Sequence, residues 1–510
     1  MSDAFLTALE NTFSLKVLLV ILVSASYGLF VGAIPGLTAT MAVALMVPFT
    51  FFLDPVSGLA AIVTMEACCI FAGDIPTTLM RIPGTPSSAA YVDDAYALTL
   101  QNRHQQALGV SLVFSVIGGL VGALVLIFLA PQLARVAIEF SSYERFWLFV
   151  LGLGCAAVVS RGSLAKGLLA LSIGLLLSCV GLGSTHSVPR LTFGSDHLIT
   201  GINFIPAMIG LFGLAEVLRN FSKLMPNATS AADPTTSSGN WLRRGIDEVF
   251  GGLWKRLSKS GSRILTSSAI GSSIGMLPGA GADIAAWVSY AVSKRRATPE
   301  QKDEYGKGSL DGIADATTAN NSSLAGAWIP ALVLGIPGDS VTAIVIGVLL
   351  MKNIQPGPEI FQDPVQLPLV YGIYITFILA NLLLIPLGFL AIRAGSMIVR
   401  IPRQIILPLI LMFCIVGAFA INGSYFDIGV MLVMGLLGVV LERFEVPAGP
   451  VVLGIILGSR LEEALVQCLT KSDSLSAFFG RPIAAGLGVL CIVLWLTPFI
   501  AWLKRRRNRD

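Results

Sequence analysis

Hydrophobic residues in this chain come in long runs rather than at the spacing of a half-buried helix or strand, and charges mark the ends of the runs. Residues 17–53 carry no charge at all. At about 1.5 Å rise per residue that stretch exceeds one membrane crossing, and Pro35-Gly36 divides it into two helices of ordinary length. Asp54 and Pro55 open a helix that carries Glu66 and reaches Gly73-Asp74, after which a hairpin turns at Ile82-Pro83-Gly84 and ends near the polar loop Gln101–Gln106. Further apolar runs lie at 107–134, 146–160, 164–182 and 201–218. Residues 219–263 are the one extended polar region, and their Asn/Ser/Thr/Pro-rich middle, Pro226–Asn240, reads as a flexible linker. Beyond it the theme returns, with a Pro278-Gly279 break, a charged stretch Lys294–Lys307 and a second turn at Ile336-Pro337-Gly338. Apolar runs at 367–392, 404–421, 428–441, 446–459 and 482–503 complete the chain. The pattern predicts an all-α polytopic membrane protein with a first membrane repeat at 1–218, a basic cytoplasmic linker at 219–263 and a second membrane repeat at 264–510.

The two halves match at their breaks. GLFVGAIPGLTAT around Gly28 pairs with GSSIGMLPGAGAD around Gly271, so Gly28, Gly32, Pro35 and Gly36 recur as Gly271, Gly275, Pro278 and Gly279, 243 positions on. IPTTLMRIPGTPSS, with Pro76, Pro83 and Gly84, recurs as IPALVLGIPGDSVT, with Pro330, Pro337 and Gly338, 254 positions on. The larger second offset places an 11-residue insertion between the two motifs of the second half. The chain is an internal duplication.

Composition places it in a membrane: 55% of the 510 residues are hydrophobic, 13% are charged and mean hydropathy is +0.80. The seven cysteines lie mostly in apolar runs without CxxC spacing and read as small core residues. No cleavable signal pattern precedes the first long run, so that run is expected to stay as a membrane segment. Lys and Arg bias sets an orientation. With the basic tail Lys504-Arg505-Arg506-Arg507 cytoplasmic, alternation puts Arg393–Arg403, Lys294–Lys307 and the basic linker inside, and Lys352–Pro364 outside. The first-half loops come out opposite, with Asp54 outside and Arg103 and His104 inside. Two copies in opposite orientations are inverted repeats, each with Pro-Gly broken helices and a re-entrant-type hairpin.

That architecture points to transport, because backbone freed at a break can replace water around a polar solute or ion. A half-helix start favours a carboxylate or phosphate, and a half-helix end favours a cation. The substrate-binding candidates are therefore Pro35, Gly36, Thr38 and Thr40 at the first break, and Pro83, Gly84, Thr85, Pro86, Ser87 and Ser88 at the first hairpin. Their second-half counterparts are Gly279 and Gly281, then Pro337, Gly338, Ser340 and Thr342. A lone Pro-Gly in a membrane helix is more often packing than ligand binding, but four breaks in matched places favour a site. Cation-binding candidates are Asp74, Asp283 and Asp339 beside the breaks, with Asn320 and Asn321, whose neutral amide oxygens suit sodium. Glu66 lies in an apolar stretch and reads either as a proton carrier or as a protonated core carboxyl. A membrane enzyme is disfavoured because His104, His186 and His197 lie apart without ligand spacing. A channel, an exporter working without a binding protein, and a purely structural subunit are the remaining alternatives.

The motifs LMRIPGTPSS, GLFVGAIPGLTA, DGIADATTANNSS and LVLGIPGDSVTA...IQPGPEIF resemble those of the large membrane (permease) subunit of the tripartite tricarboxylate transporter family, over essentially the whole chain. The resemblance implies uptake of small di- or tricarboxylates across the bacterial inner (cytoplasmic) membrane, driven by an Na+ or H+ gradient and without a further cofactor. It also implies a small membrane subunit and a periplasmic solute-binding protein as partners; a homodimer of this subunit in the lipid bilayer is expected, and no nucleic acid. The chain departs from the family pattern at carboxylates. Asp311-Gly312-Ile313 and Ala314-Asp315-Ala316-Thr317-Thr318 precede Ala319-Asn320-Asn321, Gly73-Asp74 opens the first hairpin, and Asp93-Asp94-Ala95-Tyr96 follows it.

Overall fold

The computed structural model describes residues 2–159, 163–183, 188–222, 241–279, 281–398, 403–472 and 474–507. These are helical apart from loops and a short ribbon of β1 (Gly181–Leu182) and β2 (Pro189–Arg190). Helices dominate because a segment in hydrocarbon must satisfy its backbone polar groups internally. Five spans are long and apolar enough to cross a membrane: Leu15–Gly32, Pro55–Met80, His104–Ala137, Leu367–Gly395 and Tyr425–Arg443. The protein is an all-α polytopic membrane protein.

The first copy begins with α1 (Ser2–Thr12), then α2 (Leu15–Gly32), α3 (Ala39–Phe51), α4 (Pro55–Ala72), α5 (Asp74–Met80) and α6 (Val92–Leu100). Its outgoing helix is α7 (His104–Ala137). The Pro35-Gly36 break is a fold-back. Gly28 rests on the Met65 backbone and Gly32 on that of Cys69, so α2 and α4 run parallel in direct contact, and the returning α3 connects them. Lys16 at the start of α2 then meets Asp54 at the start of α4, 2.5 Å apart. Asp54 also accepts from Ser57 N–H at 3.0 Å and precedes Pro55, a standard helix opening. At the other end Arg81 turns left-handed (φ 55°), and the chain drops back so that Gly84 packs on Gly73 before α6 begins.

The second copy repeats this geometry with α14 (Gly261–Gly275), α15 (Gly281–Arg296), α17 (Leu310–Leu334), α18 (Ser340–Met351) and the outgoing α19 (Leu367–Ile398). Gly271 rests on Ala319 and Gly275 on Ser323, the positions 254 beyond Met65 and Cys69. Gly335 (φ 66°) stands where Arg81 does, and its N–H reaches Pro330 O as that of Arg81 reaches Pro76 O. Gly36 (φ 89°) and Gly279 (φ 78°) both need the left-handed region that glycine enters without penalty. Gly338 packs on Ala327, as Gly84 does on Gly73. The insertion forms α16 (Pro299–Lys302) and a turn whose N–H groups at Gly306, Gly308 and Ser309 all donate to Asp94 of the first copy, at 2.7, 3.0 and 2.8 Å.

The copies embrace reciprocally: α7 lies along α17, with Gly118 on Thr318 and Gly122 on Ser322, while α19 lies along α4. The same contacts fix relative direction. Lys352, just past α18, donates to Phe51 O and Leu53 O ahead of α4, and Gly335 at the end of α17 meets Pro356. Thus α17 ends where α4 begins, and the two run in opposite directions. At the far end Gln101 Nε2 donates to Lys307 O ahead of α17, and Thr99 to Thr78 O on α5.

Between the copies lie α8 (Ser142–Val159), α9 (Leu164–Ser178), α10 (Phe204–Met208), a π-helical turn Ile209–Leu214 and α11 (Ala215–Ser222). Residues 223–240, which include the stretch expected as a flexible linker, lie outside the described residues. The rest of that polar region forms α12 (Trp241–Phe250) and α13 (Leu253–Lys259). Arg256 pairs with Asp311, and Arg263 with Asp311 and Asp315, tying it to the start of α17. The chain ends with α20 (Arg403–Asn422), α21 (Tyr425–Arg443), α22 (Ala448–Lys471) and α23 (Pro482–Arg507). Here α22 packs on α8 and α9, and α21 on the π turn, with Gly435 against Leu214.

Candidate functional site

A cavity of about 770 Å³ lies where the matched breaks meet. Seven residue pairs across the duplication line it. Thr38, Ala39 and Thr40 have Gly281, Ala282 and Asp283 as mates at the first break, and Glu66 has Asn320 on the long helices. At the hairpin turns Thr85, Pro86 and Ser87 have Asp339, Ser340 and Val341. The remaining wall is unpaired and comes from Ile70 on α4, the π turn (Leu211, Phe212), Ala215 and Glu216 on α11, Gly438 and Glu442 on α21, and the approach to α22 from Glu445 to Ala448.

The backbone explains why these groups gather. Thr38 caps α3 at Met41 N–H (3.2 Å), and Asp339 caps α18 at Thr342 N–H (2.8 Å), so both helix starts face the cavity with that of α15. The two hairpin turns are built alike. Thr85 and Ser88 exchange N–H and hydroxyl bonds at 3.2 Å each, and Asp339 and Thr342 do the same at 2.9 and 2.8 Å. The first turn carries an additional hydroxyl chain: Thr77 donates to Ser88 Oγ at 2.8 Å, Thr85 and Ser87 share a bond at 2.8 Å, and Asn320 Nδ2 donates to Ser87 Oγ at 3.0 Å. Asn320 Oδ1 is buried with no hydrogen-bond partner among the described residues.

Charge in the cavity is one-sided. Glu66, Glu216, Asp283, Asp339, Glu442 and Glu445 line it, and no Lys or Arg does among the described residues. At its rim Arg219 pairs with both Glu216 and Glu442, and Lys166 with Glu445 at 2.7 Å. Glu445 is accordingly held below the usual carboxylate range by the Lys166 hydrogen bond and charge.

The structure brings Thr38, Thr40, Thr85, Pro86, Ser87, Gly281, Asp283, Asn320, Asp339 and Ser340 to the cavity wall. It places other candidates behind that wall. Gly84 packs on Gly73 with its N–H on Thr77 Oγ1 at 3.1 Å, and Gly338 O accepts from Gly279 N–H at 2.8 Å. Ser88 and Thr342 complete the turn bonds, and Pro35, Gly36, Pro83 and Pro337 shape the breaks without lining the space. Asp74 sits among first-copy hydroxyls, accepting from Tyr91 at 2.5 Å and from Ser111. Asn321 turns its amide back to Thr317 O at 3.2 Å. The acidic wall of Glu216, Glu442 and Glu445 went unpredicted because helices far apart in sequence supply it. The duplication could have singled out Glu66, which falls opposite Asn320 once the 254-residue offset is applied.

Comparison with known proteins finds two relatives and one family. The chain is 34% identical over 493 residues to an uncharacterised 52.8 kDa protein in the TAR-I ttuC′ 3′ region of Agrobacterium vitis, covering 95% of this chain and 93% of that one. It is 36% identical over 245 residues to an uncharacterised protein in the TAR-II ttuC′ 3′ region of the same organism, covering 47% of this chain and 97% of that one. No solved structure matches it. A family model described as the tripartite tricarboxylate transporter TctA family matches residues 18–453, a stretch that includes both copies and the whole paired floor of the cavity, and the chain belongs to that family.

Proposed function

We propose that this chain is the permease subunit of a secondary transporter that takes up small di- or tricarboxylates with Na+ or H+ through the central cavity. The observation that carries the reading is the cavity itself, lined from both copies by matched breaks and holding helix starts but, among the described residues, no basic side chain. The carboxylate is held by the hydroxyls of Thr38, Thr40, Thr85, Ser87 and Ser340 and by the positive ends of α3, α15 and α18, each worth about 0.3–1 kcal/mol and more where water is excluded. Asp283, Asn320 and Asp339 hold the coupling cation beside it, since anion and cation offset each other at low dielectric. A small membrane subunit, a periplasmic binding protein and a second copy of this chain complete the assembly in the inner membrane, with the C-terminus cytoplasmic.

The opposite directions of α4 and α17 support inverted repeats that expose the cavity alternately to each face. A cysteine at Asp54 and one at Arg295, on opposite ends of the helices, are then labelled from opposite sides of the membrane. Labelling from one side alone defeats the inverted arrangement. Uptake of citrate into proteoliposomes is expected to saturate and to require a cation gradient; flux that rises linearly without one makes the protein a channel.

A further inference from the structure

The copies meet in the cavity with equivalent backbone and unequal charge, and the inequality is sharpest at Glu66 and its mate Asn320. Glu66 lies on α4 and is 1% exposed. Among the described residues its one hydrogen-bond donor is the Trp328 indole N–H, 3.4 Å away. Every other carboxylate of the cavity is engaged. Glu216 and Glu442 share Arg219, Glu445 has Lys166, Asp339 accepts from the Thr342 N–H and hydroxyl, and Asp283 has a partner of its own.

Among the described residues no Lys, Arg or His forms a hydrogen bond or ion pair with Glu66. The titratable groups that act on it are Asp339, before α18, and Cys69, further along α4, and neither carries positive charge. Asp74 on α5 is occupied by Tyr91 and Ser111. The cations Lys16, Arg135, Lys352 and Arg393 and the titratable His104 stand at the ends of α2, α7, α18 and α19, where Lys352 is given to Phe51 O and Leu53 O. An ionised carboxylate in such a place is disfavoured, and an anionic substrate beside it disfavours it further.

We propose that Glu66 is a proton-binding residue of the cavity, protonated when a small carboxylate is bound and donating its O–H to that carboxylate. The inference rests on the carboxylate reading of the cavity and names the group that makes it tenable. Among the described residues an anion there finds N–H groups and hydroxyls but no Lys or Arg, and a carboxyl O–H to a carboxylate is among the stronger donors available. Its mate Asn320 gives one Nδ2–H to Ser87, and as a neutral amide it can supply the anion with a donor but with no exchangeable proton to carry. No bond of the substrate changes: one proton taken up from solvent forms the Glu66 O–H bond as the anion binds, and that bond breaks to return the proton to solvent when the anion leaves. By linkage, whatever the anion adds to proton affinity the proton adds to anion affinity.

The test uses the purified full-length chain in detergent with citrate as probe. The infrared C=O band of a protonated carboxyl is compared between wild type and Glu66→Gln over a pH series, and citrate binding is measured calorimetrically in the same series. Expected are a titrating band absent from Glu66→Gln and enlarged by citrate. At alkaline pH, where citrate is fully ionised, wild-type affinity should fall about tenfold per pH unit, the slope of one linked proton. Glu66→Gln keeps an N–H donor and should bind with no such slope; Glu66→Asp restores both band and slope if the Gln variant does not fold. A band identical in wild type and Glu66→Gln, or a pH slope unchanged in the variant, overturns the proposal. A wild-type chain that shows the titrating band yet binds no citrate overturns the carboxylate reading instead, and the donated hydrogen bond with it.

Discussion

The first and second copies share a backbone and divide the chemistry. In the first, the cavity wall is hydroxyl-bearing (Thr38, Thr40, Thr85, Ser87) with a single carboxylate, Glu66; in the second it carries Asp283 and Asp339 with an amide, Asn320. What stays constant is what geometry demands: glycines where helix backbones touch, left-handed residues at the turns, and reciprocal side-chain bonds that close them. What differs is electrostatic, and it can differ because none of those demands concerns charge.

The largest effect is expected where the copies agree. Gly32→Val and Gly275→Val each drive a side chain into the backbone of Cys69 or Ser323, with a cost above the 1–3 kcal/mol typical of an overpacked core. Both should fail to give a monodisperse peak in size-exclusion chromatography. Tolerance of one alone breaks the equivalence of the two seams.

The next effect falls on binding rather than folding. Thr85→Asp places the second copy's residue in the first, where Asp can accept from Ser88 N–H as Asp339 does from Thr342. Thermal stability should hold, while citrate affinity drops at least tenfold, roughly 1.4 kcal/mol, from one added carboxylate in the cavity. Affinity equal to wild type would remove the anion from this end of the cavity.

Smaller still is the turn chemistry. Thr342→Ala should cost about 1 kcal/mol, the worth of a cap bond, and Ser88→Ala about 2, because Ser88 also accepts from Thr77, whose mate is Ala331. Equal costs in thermal denaturation would show that the additional hydroxyl chain contributes nothing.

The smallest effect lies outside the cavity. Burial opposes ionisation of Asp54, yet the Lys16 and Ser57 bonds outweigh it and pull its pKa down to about 2. A depressed folded pKa stabilises above the unfolded value of about 4 and is lost as pH falls toward 2. Asp54→Asn should therefore lower stability by under about 1 kcal/mol at pH 7, the pair being largely exposed, with the gap closing below pH 4. A gap as large at pH 2 as at pH 7 would assign the effect to something other than charge.

The membrane class, the duplication and the breaks were legible because they are written in residue types with fixed physical meaning: long uncharged runs, proline without an N–H, glycine without a Cβ. The sites were legible only in part. Hydropathy marks Glu66 and Asp74 alike as carboxylates in apolar surroundings, and nothing local separates the one that faces the cavity from the one wrapped in hydroxyls. Gly84 and Gly338 read as places for a ligand's close approach, and in the structure the close approach is that of other backbone, Gly73 and Ala327. The acidic wall depends on how α11 and α21 pack against the two copies, a tertiary fact without a sequence signature.

Had the two copies remained separate identical chains, every substitution would have appeared twice across the axis that relates them. A glutamate at position 66 would then share the cavity with a second glutamate, and an aspartate at 339 with a second aspartate. Joining the copies in one chain lifts that constraint, so each half mutates alone, and Glu66 meets an amide while Asp339 is matched by a threonine. The protein is in effect a heterodimer held in one polypeptide, with partners always present in equal numbers.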